Sequence, residues 1–372
     1  MDALSRRVLN RAALDRQMLL ARARLPVPAA MERLVALQAQ DCNLPYFTLW
    51  SRLEGFRQQA LTDLMYERQV TRSSVLRGTQ HMLTAADFLW VRPLLQSSVL
   101  RMRQAGFGRV TKDWDLDELA GEARDRLAGR TLTRPQIARE LQERWPDREA
   151  LALGWSVQAL VPVVHPPPSG TWNTWGATPF ALPEDWLGKP LEEGAALEEL
   201  VRRYLEGHGP ASVKDFQMWS GVRRREGAEE AFARLDLRAY RDENGVEVFD
   251  LPDATLPDPD VPAPVRFLPD LDNLLLAYAD RTRVMTDEQR KYICVGAWVK
   301  ATVLVDGHVR AVWTLRKRKG EKKGGAETAV LTIESFGELA TGERAAIEAE
   351  AVDLLAFAHP GAEAPEIRFG VV

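Results

Sequence analysis

Gly209-Pro210-Ala211-Ser212-Val213-Lys214-Asp215-Phe216 reads as the start of a helix, with Ser212 at the capping position. Ser220-Gly221 then makes a turn, and a second helix is expected over 224–235. Residues 238–250 alternate like two short strands about Glu243-Asn244-Gly245, a hairpin signal. Helix, helix with a glycine turn, helix and hairpin is the layout of a winged helix-turn-helix module. The same order appears upstream. A helix over 116–127 leads to Thr133-Arg134-Pro135, where Thr133 caps and Pro135 begins a helix ending near Arg144. A strand over 157–165 and aromatic hairpin or wing material over 172–180 follow. The reading is two tandem modules, 116–192 and 193–250.

Outside them, residues 1–115 carry helical patterns at 1–23, 30–38, 45–53, 60–67 and 85–102. Prolines 252, 257, 259, 262, 264 and 269 mark 251–269 as an extended linker. Residues 270–372 read as a C-terminal α+β domain. There, strands 292–305 and 309–315 join at Asp306-Gly307, a basic loop leads to a strand at 329–333, and a helix spans 342–358. The expected class is mainly α with α+β elements.

The chain has 372 residues, 45% hydrophobic and 27% charged, as in a folded globular protein of several domains. Neither a membrane span nor a secretory signal is expected, so the cytoplasm is the expected compartment. Cys42 and Cys294 are too few for a disulfide framework, and the five histidines lack metal-ligand spacing. No cofactor and no metal are expected. A net charge of −4 argues against a nucleic-acid partner, yet the charge is segregated. Residues 68–112 hold Arg68, Arg72, Arg77, Arg92, Arg101, Arg103, Arg109 and Lys112 against Asp87 alone. Arg223-Arg224-Arg225 and Arg316-Lys317-Arg318-Lys319 with Lys322-Lys323 are further basic blocks. Such blocks build a positive groove on an acidic protein, and three together favour a polyanion partner.

Leu37-Gln38-Ala39-Gln40-Asp41 closes an apolar helical stripe before Pro45. Two residues apart on a regular helix, Gln38 and Gln40 point about 200° away from each other. On extended chain they would share a face. A polar helix end is the bland alternative. With Pro45-Tyr46 and Leu49-Trp50-Ser51-Arg52-Leu53, the segment resembles the opening of the AlkZ/YcaQ-like winged-helix DNA glycosylases. Leu76-Arg77-Gly78-Thr79-Gln80-His81, Thr84-Ala85-Ala86-Asp87, Gly209-Pro210-Ala211, Trp219-Ser220-Gly221, Leu268-Pro269, Asp272-Asn273, Asp280-Arg281 with Arg283, and Leu304-Val305-Asp306-Gly307 continue the likeness in order. The family usually has leucine or isoleucine where this chain has Gln80.

The resemblance implies tandem winged-helix modules around a concave DNA-binding channel and a catalytic motif of the AlkZ type, Gln38-Ala39-Gln40. It implies a monofunctional, metal-independent glycosylase of base excision repair, acting in the nucleoid as a monomer on double-stranded DNA with alkylated bases. Glutamine cannot ionise, but its carbonyl accepts a bond from water and places partial negative charge beside an oxocarbenium ion. General acid catalysis contributes about 10²–10⁴-fold, and a cationic N7- or N3-alkylpurine dispenses with most of it. Bulky adducts and interstrand crosslinks fall in the same class. Candidate DNA contacts are Arg72, Arg77, Arg101, Arg103, Arg223, Arg224, Arg281, Arg316, Lys317, Arg318 and Lys319. His81 reads as a buried structural histidine, and the tryptophans at 50, 90, 155, 172 and 175 as core, with stacking of Trp172 or Trp175 on an exposed base as the alternative. A non-catalytic winged-helix DNA-binding protein, such as a regulator, stays open beside the enzyme.

Overall fold

A computed structural model describes residues 3–318, 328–361 and 365–372. Three segments in succession share one topology: helix, short strand, two helices, two returning strand segments. The first was not expected. Helix Val27–Leu34, with Pro28 in its first turn, buries Ala30, Met31 and Leu34. Its end is turned by Val35 at φ 65° and ψ −55°, where Ala36 N–H bonds the Leu34 carbonyl at 2.8 Å. That is a strained γ-turn, rare for a β-branched residue. Strand Leu37–Gln38, helices Leu44–Trp50 and Gln58–Tyr66, and strands Val70–Ser74 and Gln80–Thr84 follow. Gln80–Thr84 is the middle strand, pairing Gln38 with His81 on one side and Ser73 with His81 on the other.

The second segment corrects an expectation. Residues 157–165 are not a strand; helix Ala150–Leu160 takes the first four of them, after helices Leu116–Leu127 and Arg134–Arg144. This helix buries residues around most of its circumference, so no polar stripe marks its period. Only Leu132–Thr133 with Pro179–Phe180, and a bridge from Val164 to Ala181, supply its β structure. In the third segment, helix Leu197–His208 precedes a bridge from Ala211 to Phe249. Helices Val213–Ser220 and Ala228–Arg234 and the hairpin Arg238–Asp242 with Glu247–Asp250 complete it. Ser212 caps as expected, accepting from Asp215 N–H. Ala3–Leu4, from the chain start, adds a parallel strand to this hairpin.

The expected helix 1–23 is Arg6–Arg16, and 85–102 is two helices, Ala85–Leu94 and Gln96–Phe107, broken at Leu95. The last part of the chain forms a five-stranded sheet under helix Thr341–Ala358. Its edge strand, Arg266–Leu268, comes from the proline-rich stretch expected as linker. The expected strand 292–305 is the end of helix Asp287–Ile293, one pair of two-residue strands, and only then strand Thr302–Val305. Asp306 and Gly307, at φ 45° and 80°, make the expected two-residue turn into strand His308–Arg318. That turn is clamped by the first helix. Asn10 donates to the Gly307 carbonyl at 2.8 Å, and Arg7 and Arg11 pair with the Asp306 carboxylate. No helix among the described residues is long and apolar enough to cross a membrane.

Candidate active site

The first three-stranded sheet places the glutamines. Gln38 lies in the strand, 4% exposed. Its amide is satisfied at both ends when the oxygen faces Arg77: Oε1 accepts from Arg77 Nη2 at 2.8 Å, and Nε2 donates to the Gln80 carbonyl at 3.3 Å. Ala39 N–H bonds the same carbonyl at 2.9 Å. Gln40 has just left the strand; it is exposed, and no protein group among the described residues bonds its amide. It opens on a cleft of about 440 Å³ walled by Arg72, Met102, Arg134, Trp155 and Trp175.

Two arginines build the floor of this cleft. Arg72 donates to the Ala39 carbonyl at 2.9 Å, to Ser169 Oγ at 3.3 Å, and to Gln80 Oε1. Gln80, where the family pattern has an aliphatic residue, therefore anchors Arg72 behind the motif. Burial pushes Arg72 down to about 10. Arg134 lies 3.8 Å from the Trp155 ring centroid and donates to Gln158 Oε1 at 2.6 Å. A Cβ on Gly154 would sit 2.7 Å from Arg134 Cγ, so glycine there is what lets the arginine cross the helix.

Arg77 sits at φ 53° in the turn between strands Val70–Ser74 and Gln80–Thr84. Besides Gln38 it donates to the Trp219 carbonyl, in the last turn of helix Val213–Ser220. Burial, and Arg281 nearby, hold it down to about 10. The third segment thus fixes the orientation of a motif glutamine in the first. His81 is buried, bonded to the Thr79 carbonyl at 2.9 Å, and held down to about 3 by burial; it stays neutral.

The loop 172–176 covers the motif from the other side. Asn173 N–H and Asn43 Nδ2–H make reciprocal bonds of 2.8 and 3.0 Å, and Trp175 Nε1 donates to Asp41 Oδ2 at 2.9 Å. Contrary to the sequence reading, Trp155 and Trp175 are not core: they are 37% and 63% exposed. Trp50 is buried, and Trp172 packs edge-on to Tyr46 and Phe47.

The other basic residues divide. Arg103 is 5% exposed, bonded to Ser156 and Thr111; Arg101 pairs with Glu226 and donates to the Gly221 carbonyl. Arg281 points Nη1 at Cys294 Sγ, 2.7 Å away. With Arg72 and Arg77, these guanidinia are committed inside the protein. Arg223, Arg224, Arg316 and Lys317 are exposed, Arg224 pairing with Glu229 at 2.9 Å. Arg318 ends its strand, and Lys319 lies outside the described residues. Among the described residues, no group of three or more His, Cys, Asp or Glu is placed to hold a metal.

The sequence reading names Trp155 and Trp175 but does not single out Arg134 as part of the site. The neighbourhood Arg134-Pro135 and the aromatic run 172–175 drew notice, and neither pointed to Gln40.

The sequence profile of the AlkZ-like DNA glycosylases matches residues 31–357. An "Interstrand DNA cross-link repair glycosylase" from Streptomyces sahachiroi is 24% identical over 334 residues, covering 81% of this chain and 85% of that protein. The solved structure of Streptomyces sahachiroi DNA glycosylase AlkZ superposes with a TM-score of 0.78, at 21% identity, over 99% of this chain and 100% of that one. With a profile match running through nearly all of the motif, cleft and sheet described, the chain belongs to the AlkZ-like DNA glycosylase family.

Proposed function

We propose that this chain hydrolyses the N-glycosidic bond of cationic N7- or N3-alkylpurines in double-stranded DNA, with Gln40 holding the attacking water. The observation that carries this reading is the contrast within the motif: Gln38 is buried and bonded at both ends, whereas the Gln40 amide stands free on an open cleft. A free amide carbonyl can accept from water and face positive charge developing on the sugar. No described residue lining the cleft offers a strong acid. His81 is buried and neutral, and Arg72 and Arg134 hold their protons. Such a site suits a leaving group that already carries its charge.

The reading is a monofunctional enzyme without a metal. Among the described residues no lysine lines the cleft to form a Schiff base with the sugar. The three segments of shared topology are read as tandem winged-helix modules around a concave channel. Arg223, Arg224, Arg316, Lys317, Arg318 and Lys319 are proposed to hold phosphates along it, while Arg72, Arg77, Arg101, Arg103 and Arg281 shape its wall. The relative's name extends the proposed substrates to interstrand crosslinks, and the cleft's open side suits bulky adducts. Action as a monomer in the cytoplasm, on nucleoid DNA, completes the reading. The test is release of N7-methylguanine and of uracil from otherwise identical duplexes. Release of the cationic base alone is expected; equal release of both, or of neither, refutes the proposal.

A further inference from the structure

Trp175 also borders a second cavity, of about 660 Å³, which Asp41, the residue after Gln40, lines as well. Trp298 stands on the same cavity, 42% exposed. Both indoles are held the same way: Trp175 Nε1 donates to Asp41 Oδ2 at 2.9 Å, and Trp298 Nε1 to Asp270 Oδ1 at 3.0 Å. Each bond fixes a ring by its edge and leaves ring surface bare. A carboxylate on the indole N–H also makes the ring face more electron-rich, which strengthens its attraction for a cation. Asp41 accepts otherwise from Asn43 N–H at 2.8 Å, and Asp270 from Ala301 N–H at 3.0 Å. No lysine or arginine among the described residues forms an ion pair with either. Lys300, Arg316 and Lys317 line the cavity as well, and Lys300 Nζ lies 3.6 Å from the Tyr292 ring centroid.

A cavity with bare indole faces and two carboxylates unpaired with cations fits a flat cation. We infer, resting on the glycosylase reading above, that this cavity is a recognition site for the damaged base itself: a planar N-alkylpurinium, stacked on Trp175 or Trp298, with its charge toward Asp41 and Asp270. An unmodified purine has the same shape without the charge. When the glycosidic bond breaks, its electron pair stays on the purine nitrogen, the ring becomes neutral, and positive charge passes to the sugar. The cavity therefore favours the damaged base before cleavage and loses its hold on the product afterwards. It serves discrimination and release; the chemical step stays with Gln40.

The experiment is a tryptophan-fluorescence titration of the full chain with 7-methylguanosine and with guanosine at pH 6, where the first is a cation and the second neutral. At least tenfold tighter binding of 7-methylguanosine is expected. Trp298→Leu and Asp270→Asn are each expected to erase that preference, the second while leaving an acceptor for the indole. Equal binding of the two nucleosides, or a preference that survives in both variants, overturns the inference. Base release from N7-methylguanine DNA is measured separately on the same preparations. Release without nucleoside discrimination sinks this cavity's role and leaves the glycosylase reading standing. Discrimination without release supports the cavity and sinks that reading.

Discussion

Arg77→Ala separates a residue that positions the motif from one that grips DNA. Arg77 is half-buried, its guanidinium pairs with no carboxylate among the described residues, and it bonds the Gln38 oxygen and the Trp219 carbonyl. Removing it orphans two buried acceptors, each costing about 1–3 kcal/mol of stability. The Gln38 amide, freed to turn, would no longer hold the Gln80 carbonyl that also anchors Ala39. A misplacement of about 1 Å in the catalytic segment costs roughly 10²-fold in rate. The expected result is a single-turnover release rate down about a hundredfold, with DNA affinity and its salt dependence unchanged. Arg77→Lys keeps the charge but not the two-pronged geometry and should recover little. A phosphate contact would behave in the opposite way. The slope of log K against log salt would fall by about 1, with the rate at saturating enzyme intact. That outcome would refute the positioning role.

Three further outcomes follow from the packing. Arg52 and Asp272 form a fully buried two-pronged pair at 2.8 and 2.9 Å, so Asp272→Ala should cost about 3–5 kcal/mol by stranding a buried cation. For a chain of this length that lowers the melting temperature by about 5 °C, read by calorimetry. His81, His165 and His208 are all held down to about 3 by burial, against an unfolded value near 6.5. Below pH 6.5 the unfolded chain therefore binds protons that the folded one refuses. Stability is full above that pH and falls on acidification, by up to about 1.4 kcal/mol per pH unit for each histidine. His308 is held down by burial as well, so His165→Gln should flatten, without abolishing, the pH dependence of urea unfolding between 6.5 and 5; an unchanged slope would contradict the buried neutral state. Gly307→Ala places a Cβ 2.6 Å from Asn10 Oδ1 at a φ of 80°, and should destabilise by more than about 1 kcal/mol in the same assay.

Local signals carried the parts of the fold that were legible. Ser212, Thr133 and Asp306-Gly307 act within a few residues of themselves, and the elements they start or turn stand where expected. Burial erased the rest. Strand Val70–Ser74 is buried on both faces yet reads Val-Thr-Arg-Ser-Ser, because its polar groups bond partners from distant segments, as Arg72 bonds Ala39 and Ser73 the Val163 carbonyl. Neither alternation nor an apolar run marks it. Helix Ala150–Leu160 fails in the converse way, apolar around its surface and so easily taken for a buried strand. The site divides along the same line. Gln38 and Gln40 are neighbours in the chain, so their motif can be found there. Trp155 and Trp175 reach the cleft of Gln40 only because separate segments meet there, and Asp270 and Trp298 line the neighbouring cavity for the same reason.

The most direct measurement is single-turnover release of N7-methylguanine from methylated duplex DNA by the wild-type chain and by Gln40→Ala at saturating enzyme. Loss of a preorganised group facing the developing charge costs about 10²–10³-fold. The account predicts release by the wild type and a loss of that size in the variant, with DNA affinity retained. A Gln40→Ala rate within threefold of wild type, or tight binding with no release at all, would contradict it.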